Sequence, residues 1–96
     1  MQTIQYGTKA INARHVEQFH IQTNHKGKRN LVFRSVIGVP NRENGDVILL
    51  VELEDKTNTE CLISDLCNLL ANSKRINLYL DTESGTDKAE ALDEDT

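Results

Sequence analysis

The chain has 96 residues, 38% hydrophobic and 4% aromatic, with a formal net charge of −4. That length suits one domain near the lower end of the usual range. No apolar leader opens the chain and no run approaches the ~18 apolar residues of a membrane span, so a soluble, cytoplasmic protein is expected. The charge is unevenly placed. Residues 1–42 carry seven Lys/Arg against Glu17, a net of +6, and residues 43–96 carry fourteen acids against four Lys/Arg, a net of −10. Such asymmetry sets long-range potentials and bears on partners rather than on chemistry.

In chain order, Ile4 and Tyr6 alternate with polar residues and predict a short strand that turns at Gly7-Thr8-Lys9. The alternation Phe19-His20-Ile21-Gln22 predicts a second strand over about 15–23, beginning with a bulge near Asn12-Ala13; a short amphipathic helix over 12–20 is the competing reading. Asn24 to Lys28 is a loop by composition, with Gly27 free to take positive φ. Leu31, Phe33 and Ile37 alternate with Val32, Arg34 and Val36, which predicts a strand over about 30–39. Residues 40–46 hold the only proline and an Asn-Gly pair between two apolar runs, a hairpin signal. The strand over 46–54 then lines one face with Val47, Leu49, Val51 and Leu53, while Ile48 and Leu50 make its first half apolar on both faces.

The period then changes. Thr57-Asn58-Thr59-Glu60 matches a capping box, with Thr57 as the cap and Glu60 reaching back. Leu62, Ile63, Leu66, Cys67, Leu69 and Leu70 form one stripe of a helix over about 58–72. Lys74 and Arg75 follow where cations favour the helix dipole. Ile76, Leu78 and Leu80 predict a last strand. Residues 84–96 carry five acids, one lysine and small residues, and read as a disordered acidic tail.

No arrangement points clearly to catalysis or to a cofactor. His15, His20 and His25 are five apart, a spacing that suits no metal site. Cys61 and Cys67 lie six apart, too far to bridge on one helix, and read as small buried helix residues. Cys61 in the first helical turn and the Glu52/Glu54 pair are the only enzyme candidates, and each is more simply structural. No glycine-rich phosphate loop precedes the helix. The basic loop supplies a candidate nucleic-acid contact in Lys26, Lys28, Arg29 and Arg34, but few aromatics are present to stack on bases. Val32, Val36, Ile48 and Leu50 form a candidate protein interface, because a helix can cover only one sheet face and a small chain should not leave the other apolar and wet.

The expected fold is therefore α+β. A mainly antiparallel four- to five-stranded sheet carries one helix on one face, in the order β-β-β-β-α-β. Residues 1–83 form the domain and residues 84–96 the tail. The expected function is non-enzymatic: a small regulatory or inhibitory protein, of the size of a bacterial or phage accessory protein, that binds a protein partner or itself. No cofactor, metal or membrane enters this expectation. Nucleic-acid binding through loop 25–34, with the tail as an intramolecular competitor, is the alternative.

Overall fold

The structure, a computed structural model, describes residues 1–35 and 46–92. In chain order it holds β1 (Thr3–Tyr6), β2 (Lys9–Asn12), a 3₁₀ turn at Ala13–His15, β3 (Gln18–Thr23), β4 (Arg29–Ser35), β5 (Asp46–Glu52), α1 (Thr59–Asn72), β6 (Arg75–Asp81) and β7 (Thr86–Ala91). The α+β class is as expected. Val36, the last part of the strand expected over 30–39, the turn over 40–45 and the tail end at 93–96 lie outside the described residues.

The described strands form two sheets rather than one. The first has the order β2-β1-β6-β7 and the second β3-β4-β5. β1 hairpins with β2 and runs parallel to β6, with Ile4 opposite Ile76 and Tyr6 opposite Leu78. This parallel pair joins the two ends of the chain, so β3, β4 and β5 are left to form a sheet of their own. No alternation in sequence signals a parallel pair across some seventy residues, which is why one sheet was expected. β2 was also unforeseen, since Ile11 is the only large apolar residue in Lys9–Asn12.

One core joins both sheets and the helix. Ile4, Ile76 and Leu78 come from the first sheet, Leu31, Phe33, Leu49 and Val51 from the second, and Leu62 and Leu66 from α1. Phe19 and Phe33, opposite each other in register, stack at a ring separation of 5.6 Å and add an aromatic pair on the inner face. Leu66 is 0% exposed, and Ile63, Leu69 and Leu70 pack against the same cluster, so the helical stripe faces inward as expected. Cys61 and Cys67, expected to be buried, are both exposed. The 3.6-residue period places each at least 100° from the centre of the Leu62–Leu66 stripe.

The ends of α1 are satisfied differently from the expected capping box. Asn58, not Thr57, is the N-cap, and its side chain accepts from the Cys61 amide at 3.1 Å. At the other end no basic residue lies in the last turn. Instead the Gln2 side-chain amide donates to Leu70 O at 2.7 Å and Ser73 O at 2.8 Å. Those carbonyls have no partner within the helix, so β1 and the helix terminus are tied together through them.

Residues 86–91, expected as part of a disordered tail, form β7. It pairs antiparallel with β6 from Thr86 opposite Asp81 to Ala91 opposite Ile76. Its inward side chains are Asp87 and Ala89, which give no hydrophobic signal, and the strand owes its order to its neighbours. Gly85, at φ +71°, makes the turn from β6, a conformation that a side chain would strain.

Candidate functional site

The register of the second sheet fixes what each face presents. Leu31, Phe33, Leu49 and Val51 point inward. The cross-strand rows of the outer face are therefore Gln18, Arg34 and Val47; then His20, Val32 and Leu50; then Gln22, Asn30 and Glu52. The row through Val47 depends on a bulge. The β4–β5 register shifts between Phe33 and Arg34, so that Val47 rather than Ile48 lies opposite Arg34. Ile48 turns to pack against the core, while Val47 is 45% exposed. Regular alternation would have placed Ile48 outside and Val47 inside, and no turn residue in the run Val47–Val51 marks the irregularity.

Of the four residues expected on an interface, Val32 and Leu50 thus share the outer face and Ile48 leaves it. Val36 lies outside the described residues. Val32, at the centre, is 1% exposed, while Leu50 beside it is 45% exposed. Asn30, on the same strand, is only 8% exposed, and its Oδ1 accepts no hydrogen bond. A buried amide oxygen without a donor is uncommon and calls for an explanation. Two residues beyond Val32 on the same face, the Arg34 guanidinium makes no hydrogen bond or ion pair among the described residues. Among the described strands β5 pairs only with β4, and no described strand lies along its other edge, beside Leu50.

The residues expected to contact nucleic acid do not converge. Arg29 donates from its guanidinium to the carbonyls of Glu54 and Asp55, at 3.1 and 2.8 Å, and so holds the loop after β5. Lys26 and Lys28 line a cleft with the acids Glu52 and Asp55. The loop is shaped by Asn24, whose side chain accepts from the amides of Lys26 and Lys28. Arg34 lies at the far end of β4, roughly 17 Å along the strand from Arg29.

Two other clefts carry polar groups. Where β6 runs three residues past its last pair with β1, a cavity of about 580 Å³ opens between Tyr6, Lys9, Asn77, Tyr79 and Leu80. Partial burial, and then the nearby Glu90 carboxylate, push the Tyr79 hydroxyl above its ordinary pKa. At the sheet edge, Lys88 Nζ and Asp81 Oδ2 pair at 2.9 Å. The hydrogen bond from Lys88, then that from the Glu83 amide, hold Asp81 below the ordinary carboxylate range, and the same bond raises Lys88. A second cavity of about 430 Å³ is lined by His15, Ser35 and Asp46 with Ile11 and Ile48. Nucleophilic catalysis there needs a hydrogen-bonded relay through the imidazole. No hydrogen bond joins His15 to Ser35 or Asp46 among the described residues.

Among the described residues no three His, Cys, Asp or Glu side chains come together to hold a metal ion, and no helix is long and apolar enough to cross a membrane. Compared with protein-family models, with curated proteins and with solved structures, the chain matches none.

Proposed function

We propose that this chain is a non-enzymatic interaction module that seats a protein, either a partner or a second copy, on the outer face of the β3-β4-β5 sheet. The observation that carries this reading is the pair Val47 and Leu50, both 45% exposed, beside an edge of β5 that no described strand pairs. Exposed apolar side chains grouped on one sheet face, next to an open edge, offer both ways in which sheets recognise proteins: face packing and strand addition. Small regulatory and inhibitory proteins act in this way, by occupying a surface. The nucleic-acid alternative is weakened by the engagement of Arg29 with carbonyls and by the acids beside Lys26 and Lys28.

The test compares immobilised wild type with the Leu50→Asp variant in nuclease-treated lysate of the source cells. Retention of a protein, or of the tagged chain itself, by wild type and its loss with Leu50→Asp supports the reading. Equal retention by both overturns it. Retention that disappears on nuclease treatment, and that Lys26→Ala and Lys28→Ala diminish, replaces it with the nucleic-acid alternative.

A further inference from the structure

The first sheet carries a candidate site of its own, which stands or falls apart from the face proposed above. The backbone of β6 is not used evenly along its length. The Thr3 amide donates to Lys74 O at 2.9 Å, and the Leu92 amide to Arg75 O at 2.8 Å. Lys74 thus turns its carbonyl toward β1 and Arg75 toward β7. Strand backbone alternates, so Ile76, Leu78 and Leu80 direct their N–H and C=O groups toward β1, and Asn77, Tyr79 and Asp81 toward β7. The Gly85 amide agrees, since it donates to Asp81 O at 2.8 Å. β1 ends at Tyr6, opposite Leu78, and turns into β2 through Gly7, at φ +61°. No described strand reaches Leu80 on that side, and no backbone hydrogen bond outside the ladders involves it among the described residues. Its N–H and C=O therefore stand side by side, without a backbone partner, at the wall of the cavity of about 580 Å³.

The other lining residues narrow what such a pair would hold. A donor beside an acceptor is matched by a ligand edge with an acceptor beside a donor, as an amide or the edge of a nucleobase provides. Tyr6 is half-buried against the core and lines the cavity, so its ring is fixed in place. Planar heterocycles stack on such rings whatever their substituents. The Tyr79 hydroxyl is engaged by the Glu90 carboxylate on the β7 side, which leaves Tyr6 as the free ring. Lys9 lies opposite Tyr6 on β2, two strand spacings, or about 10 Å, across from β6. It is exposed, it makes no ion pair among the described residues, and no acid stands among the residues that line the cavity. An anionic group is the natural partner for that ammonium.

We infer that this cavity binds a nucleotide, with its base edge on the Leu80 backbone, its ring against Tyr6 and its phosphate at Lys9. The volume lies in the range of small-molecule sites. An added peptide strand fits less well. Leu78 is already paired by β1, so only Leu80 is left to a new strand before β6 ends at Asp81.

Amide NMR of the full chain tests this, with adenosine monophosphate, adenosine and inorganic phosphate as separate titrants. The Leu80 amide is expected to move most with the monophosphate, at a dissociation constant on the order of 1 mM. Lys9→Ala should weaken the monophosphate about tenfold and leave adenosine unchanged. Tyr6→Leu, which keeps an apolar side chain against the core, should weaken both. The dispersion of each variant's spectrum shows that it folds. A pentanucleotide of adenylate identifies the source: equal affinity makes a free nucleotide the ligand, and tighter binding makes it part of a nucleic-acid strand, the site standing in both cases. A Leu80 amide that does not move at about 10 mM monophosphate overturns the proposal. So do shifts that centre on Lys26 and Lys28, shifts that inorganic phosphate alone reproduces, or an affinity that Lys9→Ala leaves unchanged.

Discussion

Thr57 and Asp87, thirty residues apart in sequence, hold each other through two hydrogen bonds. The Thr57 hydroxyl donates to Asp87 Oδ2 at 2.8 Å, and the Asp87 amide donates to Thr57 Oγ1 at 2.9 Å. Asp87 Oδ2 also accepts from the Glu54 amide at 2.7 Å. Both residues are buried. One carboxylate thus ties β7 to the loop that leads from β5 into α1. Asp87→Ala removes the acceptor for one buried and one part-buried donor, and an unsatisfied buried group costs about 1–3 kcal/mol. Urea denaturation is expected to show a loss of roughly 2–4 kcal/mol. Thr57→Val should cost less, because the Glu54 amide keeps its acceptor. A loss no larger than that of a surface substitution would show the pair to be incidental.

Truncation after Glu83 follows from the same contact. As a disordered tail, residues 84–96 could be removed with no effect beyond solubility. As β7, they supply the edge strand beside α1 and half of the Thr57–Asp87 pair. The truncated chain is expected to lose its cooperative melt and to broaden its amide NMR spectrum. A spectrum that keeps the dispersion and the melting midpoint of the full chain would restore the tail reading.

What the sequence revealed follows from where burial is periodic. The stripe Leu62, Leu66 and Leu69 shows at 3.6-residue spacing, and the helix runs almost where expected. Leu31 and Phe33, or Ile76 and Leu78, show by alternation. β7 was not legible because its inward residues are Asp87 and Ala89, and its order comes from pairing with β6. The cap was misassigned because Thr57 and Asn58 both have capping side chains; the choice fell to Asn58 because a residue thirty positions away had taken the Thr57 hydroxyl. On the candidate site, Val32 and Leu50 were placed on one face from alternation alone. Ile48 and Val47 exchanged roles because a bulge depends on two strands, and a single strand's pattern does not record it. Asn30 was missed altogether, since nothing in a sequence marks an amide whose partner is absent.

Gln2 is expected to stabilise α1 although it lies some seventy residues away. Its amide supplies donors to two carbonyls at the helix end. Gln2→Ala should cost about 1 kcal/mol. Gln2→Glu keeps the size but offers a carboxylate to carbonyl oxygens at the negative end of the helix dipole, and should cost more. Chemical denaturation of the two variants checks the order. Equal, negligible losses would mean that water satisfies those carbonyls just as well.

Asp81 is expected to titrate below the ordinary carboxylate range, first because of the Lys88 hydrogen bond and second because of the Glu83 amide. Carboxyl NMR on Lys88→Ala should show its midpoint rise part of the way back, since the Glu83 amide remains. A group with a depressed folded pKa contributes stability above its unfolded pKa and loses it as pH falls through the folded value. The contribution is therefore present at neutral pH and disappears in acid. It is small because both groups face solvent. An unmoved midpoint in Lys88→Ala would assign the whole shift to the backbone.

The bulge in β5 makes the sharpest prediction, because neighbouring residues should respond in opposite ways. Val47 is 45% exposed on the outer face, while Ile48 packs against the core. A carboxylate at an exposed strand position changes stability by about 0.5 kcal/mol or less. One forced against apolar neighbours loses its water without gaining a partner, at a cost of roughly 2 kcal/mol or more. Val47→Asp should therefore melt close to wild type, and Ile48→Asp should be severely destabilised or fail to fold. Regular alternation from Leu49 and Val51 requires the reverse order. Thermal melts of the two variants, at a concentration low enough to keep the chain monomeric, decide between the two registers. If Val47→Asp is the more damaging, β4 and β5 pair without the bulge, and Ile48 takes its place beside Val32 and Leu50 on the outer face.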